Sequence, residues 1–350
     1  MSAALREIAE ATRRAIAPRA LLLVGSYARA EGGVVIRDGA PRPYNDLDLV
    51  AVVDRVERGT HEALKAIAHH FEPRAGVSVD LWPIEIHRLS PPPRTLFWLD
   101  VSLGGVKLVD GDATVLSRVA LRPRDVPLEE AGRLLANRAV GLALSQLDDE
   151  GARSEMDSAV RDDDRTRHLH KAVLACGDAL LLAAGAYVGS VEGRREALAK
   201  LAGAPHVTEE LVGAYAAACR FRARPATPKD RGWEGATLRT IARAHLAFEA
   251  LRVGAPEDPE AYARTKLALF PVLPDVRPLG RLGSALRARA AGVPLLPWVG
   301  HPRERLARVA VALAYGGART RPVAEQLLGT RGADARIIRD RLLVLSHRGG

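Results

Sequence analysis

Asp46 and Asp48 flank Leu47 where the chain enters the apolar run Leu47–Val53. Residues two apart in an extended strand project from one face, so the two carboxylates can converge. Convergent carboxylates are hard oxygen ligands suited to Mg²⁺, which takes one or two of them and fills its shell with water and phosphate oxygens. Asp80 lies in Val77-Ser78-Val79-Asp80-Leu81-Trp82 and shares the polar phase with Ser78. On a neighbouring strand it would complete a two-metal site. There one ion activates an attacking hydroxyl and the other neutralises a triphosphate and its leaving group.

Gly25-Ser26 ends the short apolar run Leu21–Val24. A glycine at a strand end lets backbone approach a ligand closely, and a helix beginning there aims N–H groups at an anion. The Ser26 hydroxyl adds a donor for a β- or γ-phosphate. Arg29, three residues on, would share that side of the first turn and reach the triphosphate.

These residues need strands and turns to hold them. Leu5, Ile8, Ala9, Ala15 and Ile16 mark one face of a first helix that should end near Pro18. Leu21–Val24, Leu47–Val53 and Val77–Trp82 read as strands, Val106–Val109 as a fourth, and His61–Phe71 as a helix between the second and third. After about Pro127 strand signals fade. Helical patterns cover Glu129–Leu147, Leu169–Ala186, Glu209–Arg222, Leu238–Leu251 and Arg303–Ala314. Breaks are expected at Asp148–Gly151, Asp162–Asp164, Pro225–Lys229 and Pro294–Pro302. The fold class expected is therefore α+β, a small mixed sheet with flanking helices over residues 1–125, followed by an all-α domain over 126–350 that divides into one or two sub-bundles.

Taken together, Gly25-Ser26-Tyr27-Ala28-Arg29-Ala30-Glu31-Gly32 and Asn45-Asp46-Leu47-Asp48-Leu49 resemble the signature of the DNA polymerase β-like nucleotidyltransferase superfamily. The likeness is greatest to its minimal and aminoglycoside nucleotidyltransferases and covers about residues 1–120. It implies the nucleotidyltransferase fold, with Asp46, Asp48 and Asp80 as metal ligands, Asp80 also activating the acceptor, and Gly25 and Ser26 holding the triphosphate. It further implies Mg²⁺, two ions, and ATP or another nucleoside triphosphate as substrate. The chain departs from the pattern at Ala30, where small members often carry Gly, and in a longer connection over residues 32–44. That insert reads as a hairpin with Asp38-Gly39 at its tip, either folding over a ligand or decorating the surface.

Other signals have plainer readings. Asp110 and Asp112, separated by Gly111, look like turn chemistry. Lys171, a candidate nucleotide contact, shares a helical face with Asp178 and precedes Tyr187; the group either lines a cleft or is solvated. Arg133, Asn137 and Arg138 are a solvated face or reach toward phosphate. Arg161, six residues and His168 resemble the motif of helical HEPN ribonucleases, a pattern that also arises by chance in an Arg-rich segment. Cys176 and Cys219 have no Cys or His at zinc-ligand spacing and read as buried thiols.

Composition adds bounds. Apolar residues make up 47% and charged residues 27%, which excludes general disorder. No apolar stretch approaches the roughly 20 residues of a membrane span, and the N-terminus has no secretory apolar region, so no membrane partner and a cytoplasmic location are expected. The net charge of +9 suits an anionic partner, although an Arg- and Ala-rich composition dilutes that signal. The expected activity is transfer of a nucleoside monophosphate from a triphosphate to a small-molecule or protein hydroxyl in a cleft between the domains, RNA being a less favoured acceptor. The alternatives are a catalytically silent nucleotide-binding regulator of the same fold and a HEPN-like ribonuclease in the helical part.

Overall fold

Leu21, Leu22, Leu23 and Val24 offer apolar side chains to both faces of a strand, and so do Leu49–Val53, so both segments must be covered on two sides. They form the centre of a four-stranded sheet in the computed structural model, which describes residues 2–37, 39–153, 155–226, 228, 230–270, 289 and 302–348. The strands are β1 (Ala20–Val24), β2 (Val34–Arg37), β3 (Ala40–Pro43), β4 (Leu47–Val53), β5 (Val79–Glu85) and β6 (Val106–Gly111). The sheet order is β5-β4-β1-β6, with β1 antiparallel to β4 and β6, and β4 parallel to β5. β2 and β3 pair separately as a hairpin whose tip residue, Asp38, lies outside the described residues.

The parallel β4–β5 pair requires a crossover, supplied by α3 (Thr60–Ala75). With α1 (Ser2–Ile16), α3 covers one face, where Ile8, Leu64 and Phe71 pack on Leu21, Leu23, Leu47 and Leu49. The opposite face is covered by α4 (Leu96–Ser102), through Trp98 and Val101 against Leu22, Val50, Val52 and Ile84. Each such buried side chain contributes roughly 1.5–3 kcal/mol relative to exposure. This core fixes where the strand ends lie.

The chain divides into two compact units. The first comprises residues 1–127 together with 184–197 and 219–226. The second comprises 128–183, 198–218 and 227–350. After α2 (Gly25–Ala28), a single turn, and the helices already named, the chain continues as α5 (Leu128–Leu147), α6 (Ser158–Ala183), α7 (Val191–Lys200), α8 (Glu209–Ala223), α9 (Glu234–Val253) and α10 (Pro259–Arg264). The described residues then add α11 (Pro302–Gly316), α12 (Arg321–Leu328) and α13 (Ala335–Arg348). In the second unit α5 packs on α6 and α11, and α9 on α6.

One expected break is overturned. Asp162, Asp163 and Asp164 do not form a loop; α6 runs through them from Ser158. Basic partners offset the acidic run: Arg231 reaches Asp162 at 3.2 Å, while Arg165, one turn on, pairs with Asp149 and with Glu234 at 2.6 Å. The break at Asp148–Gly151 is present as a wide turn, Asp148–Ala152, with Gly151 in the left-handed region. Of the Pro225–Lys229 break, Thr227 and Lys229 lie outside the described residues, as do 294–301 of the last one, and Pro302 opens α11. Cys176 and Cys219 are buried, as thiols. Among the described residues no helix is long and apolar enough to cross a membrane.

Candidate active site

One end of the sheet gathers the end of β1 and the starts of β4, β5 and β6. Val24 is opposite Asp48 on one side and Val106 on the other, and Asp48 is opposite Asp80 across the parallel pair. Register partners on adjacent strands project from the same face, here the face of Val50, Val52 and Ile84. Asp46 lies just before β4, close enough to Asp80 for its charge to act there. Partial desolvation, then the carboxylates of Asp46 and Glu72, hold the Asp80 carboxyl above the usual aspartate range, although the residue itself is exposed.

Gly25 closes this corner. Its φ is +73°, and a Cβ there would lie 2.7 Å from Asp48 Oδ2, so any side chain would strain the backbone and collide with the carboxylate. Ser26 follows, buried, in the single turn of α2. That turn is too short to act as the anion-binding helix start expected, and the Gly25 N–H donates to Gly105 O at 3.2 Å.

The insert after α2 is fastened at its base by Tyr27. The Tyr27 hydroxyl donates to Gly33 O (3.1 Å) and accepts from the N–H groups of Tyr44 (3.0 Å) and Asn45 (3.2 Å). Burial raises the phenol's pKa, so it keeps the proton that this pattern needs. Asn45 Oδ1 accepts from the Gly33 N–H at 2.7 Å. A side chain on Gly32 would run into the Tyr27 ring. Asp46 therefore follows directly on a clamped backbone.

The structure commits Arg29 elsewhere. Its guanidinium is 7% exposed and pairs with Glu31 at 2.8 Å and Asp100 at 3.4 Å, so contacting a triphosphate would require breaking those pairs. Asp100 also accepts from Tyr187 (2.8 Å) and Arg194 (3.1 Å), and Glu31 accepts from the Val191 N–H (2.8 Å). Tyr44 packs edge-on against Phe221, ring centroids 6.0 Å apart. The returning segments 184–197 and 219–226 thus lock the loop between Gly25 and Asn45. Sequence reasoning gave Tyr27, Glu31, Asn45, Asp100, Arg194 and Phe221 no role of their own, although Tyr27, Glu31 and Asn45 stand inside the motif itself. Ala30 adopts the left-handed φ of +59°, a conformation that costs roughly 1–2 kcal/mol without glycine.

Lys171 belongs to the second unit, half-buried on α6, where its charge helps to depress the pKa of His168. Asp178 accepts from the Tyr215 hydroxyl at 2.7 Å within that unit, whereas Tyr187 belongs to the first. Asp110 pairs with Arg13 at 2.6 Å and Asp112 accepts from the Thr114 N–H at 2.8 Å, ordinary turn and surface roles.

Among the described residues no three His, Cys, Asp or Glu side chains are arranged to hold a metal ion as they stand. The donor chemistry at the strand ends nevertheless fits Mg²⁺, because that ion needs only one or two protein carboxylates beside water and phosphate oxygens. Asp48 and Asp80 on facing registers, with Asp46 beside them, meet that requirement, and the rise in the Asp80 pKa, caused first by partial desolvation and then by the Asp46 and Glu72 carboxylates, is one that a cation would oppose. Compared with known protein families, curated proteins and solved structures, the chain matches none of them.

Proposed function

We propose that the chain is a Mg²⁺-dependent nucleotidyltransferase of the DNA polymerase β-like kind, transferring a nucleoside monophosphate, ATP being the first candidate donor, to a hydroxyl of a small-molecule or protein acceptor. The observation that carries this reading is the facing of Asp48 and Asp80 across β4 and β5, with the side-chain-free Gly25 against Asp48. Asp46, Asp48 and Asp80 would hold the metal, which when bound supplies charge neutralisation for the triphosphate. Gly25, having no side chain, lets the Asp48 carboxylate stand against the backbone, and Ser26 would offer the phosphate a hydroxyl donor. Asp80, which holds a proton more tightly than an ordinary aspartate, is suited to take the acceptor's proton. The acceptor oxygen bonds to the α-phosphorus as the bond from that phosphorus to the bridging oxygen breaks, and pyrophosphate leaves.

The test is pyrophosphate release from each labelled nucleoside triphosphate, with and without Mg²⁺ and with cell extract as acceptor source. Wild type should release it only with the metal, and Asp46→Asn/Asp48→Asn should lose at least roughly a hundredfold. A wild type that binds nucleotide yet releases no pyrophosphate with any metal would favour the silent regulator.

The helical unit supports a second reading. Arg161 and His168 line one cavity of about 120 Å³ together with Asp164. Ranking it second are the size, below the roughly 300 Å³ at which ligand pockets begin, and the state of the two groups. Arg161 is held by Met156 O at 2.8 Å, and burial lowers His168 to about 4, a weak base at neutral pH. His170 stacks on Trp233 with centroids 5.2 Å apart, a packing role. RNA cleavage lost in His168→Gln and kept in Asp46→Asn/Asp48→Asn would promote this reading.

A further inference from the structure

The hairpin inserted after α2 has one closed edge and one open edge. The Tyr44 N–H donates to Gly33 O at 3.0 Å, which makes 33/44 a hydrogen-bonded position of the pair. Such positions alternate in an antiparallel ladder, so Val35/Arg42 is bonded as well, while Val34/Pro43 and Ile36/Pro41 are the unbonded positions between. Backbone N–H and C=O groups at unbonded positions point away from the partner strand. On β3 those residues are Pro41 and Pro43, which have no N–H, so its outer edge lacks the donors a further strand needs. On β2 they are Val34 and Ile36, which keep both groups, and among the described residues β3 is the only strand beside β2.

Open edges are commonly blunted by proline, charge or a covering element. β2 instead exposes branched apolar side chains, Val34 at 44% and Ile36 at 67%. Its surroundings are basic. Segment 219–226 meets the insert through Phe221 on Tyr44 and through the approach of Arg222 O and Pro225 to Gly33. Residues 32–44 and 219–226 together carry five arginines against the single Asp38. Of these, Arg42 and Arg224 are exposed, and Arg42 shares its face of the hairpin with Val35, opposite Val34 and Ile36.

From these features we infer that the outer edge of β2 docks an acidic extended peptide, which adds as a third strand with its backbone on the Val34 and Ile36 groups. Its alternate side chains lie apolar beside Val34 and Ile36 on one face and acidic toward the arginines on the other. A second copy of this chain would set the same positive charge against itself, and a phosphodiester backbone has no alternating N–H and C=O groups to answer the edge. The inference does not rest on the nucleotidyltransferase reading.

Fluorescence anisotropy of the full chain with labelled hexapeptides in which Glu alternates with Val, Ile or Phe tests it, beside copies with Lys for Glu, copies N-methylated at odd or at even residues, and oligouridylate. At least one acidic peptide should bind, and its Lys copy and one of its two N-methylated copies should bind roughly tenfold more weakly or worse, as losing one or two hydrogen bonds or charge contacts requires. Ile36→Pro removes an outward donor that the hairpin does not use and should weaken binding as much. Arg42→Glu/Arg224→Glu, which leaves the edge intact, should do the same. The proposal fails if no acidic peptide binds, if the Lys copy or both N-methylated copies bind equally, if oligouridylate binds more tightly than every peptide, or if either variant, folded, binds like wild type. It also fails if the chain self-associates and Ile36→Pro makes it a monomer, since a second copy is then the occupant.

Discussion

Tyr27 satisfies two backbone N–H groups and one carbonyl with a single hydroxyl, all around the base of the insert that leads into Asp46. Tyr27→Phe keeps the ring against Gly32 and removes only those bonds. Leaving part-buried backbone groups unpaired should cost about 2–3 kcal/mol in urea unfolding and lower pyrophosphate release with it; a loss under about 0.5 kcal/mol would show the hydroxyl to be dispensable. Asp80 works in the opposite sense. Its folded pKa is raised, so the folded state binds the proton more tightly, and stability falls as pH rises from the ordinary aspartate value through the raised one. Asp80→Asn should therefore melt above wild type at pH 7, the gap closing below about pH 4, and Mg²⁺ should stabilise wild type more than the variant. Equal melting at pH 7 would remove the charge crowding from the account. The gathering of Gly25, Asp46, Asp48 and Asp80 at strand ends was legible because each sits in or at the edge of a readable apolar run. The clamp was not, since Tyr27 has no unusual local pattern and its partners Gly33, Tyr44 and Asn45 are chosen by the folded path.

Strands of the first unit could be read closely because burial on both faces leaves an uninterrupted apolar signature, as in β1 and β4. α6 shows the limit. Its first turns carry Asp162–Asp164, which locally look like a loop, and the cations that make them tolerable, Arg231 above all, come from 69 residues away. No single-sequence window contains that pairing. α4, short and capped by Thr95 accepting from the Trp98 N–H at 3.2 Å, fell within a segment too brief to show helical period. The helices of the second unit also bury titratable groups that folding keeps neutral. Burial lowers His168 and His170 on α6 to about 4, and it lowers His245 on α9, which faces the Tyr315 hydroxyl at 2.9 Å and feels Arg252, to about 3. Unfolded histidine takes a proton near pH 6.5, so the unfolded state binds protons first and stability drops as pH falls below that value toward 4 and 3. His245 alone should cost roughly 2 kcal/mol at pH 5. Melting followed from pH 7.5 to 5 should show the decline, and His245→Gln should flatten it; a flat profile in wild type would mean the histidines charge without unfolding.

At the scale of the whole molecule, the division into two units does not follow the order of the chain. Residues 184–197 and 219–226 belong with the first unit, and α7 and α8 each have one end in either unit. Nothing in the local composition of those segments announces this, because what assigns them is the fit of Tyr187 and Arg194 to Asp100, of Val191 to Glu31 and of Phe221 to Tyr44. The arrangement has a consequence for biogenesis. A ribosome adds about 5–20 residues per second, so the first 127 residues wait on the order of 5–20 s for residue 226 to be made. During that interval the nascent sheet carries the strand-end carboxylates and the Tyr27-fastened insert, while Asp100 and Glu31 have Arg29 but still lack Tyr187, Arg194 and the Val191 N–H. The packing around this corner is thus completed only once residue 226 has been made, though its strands are written first in the chain.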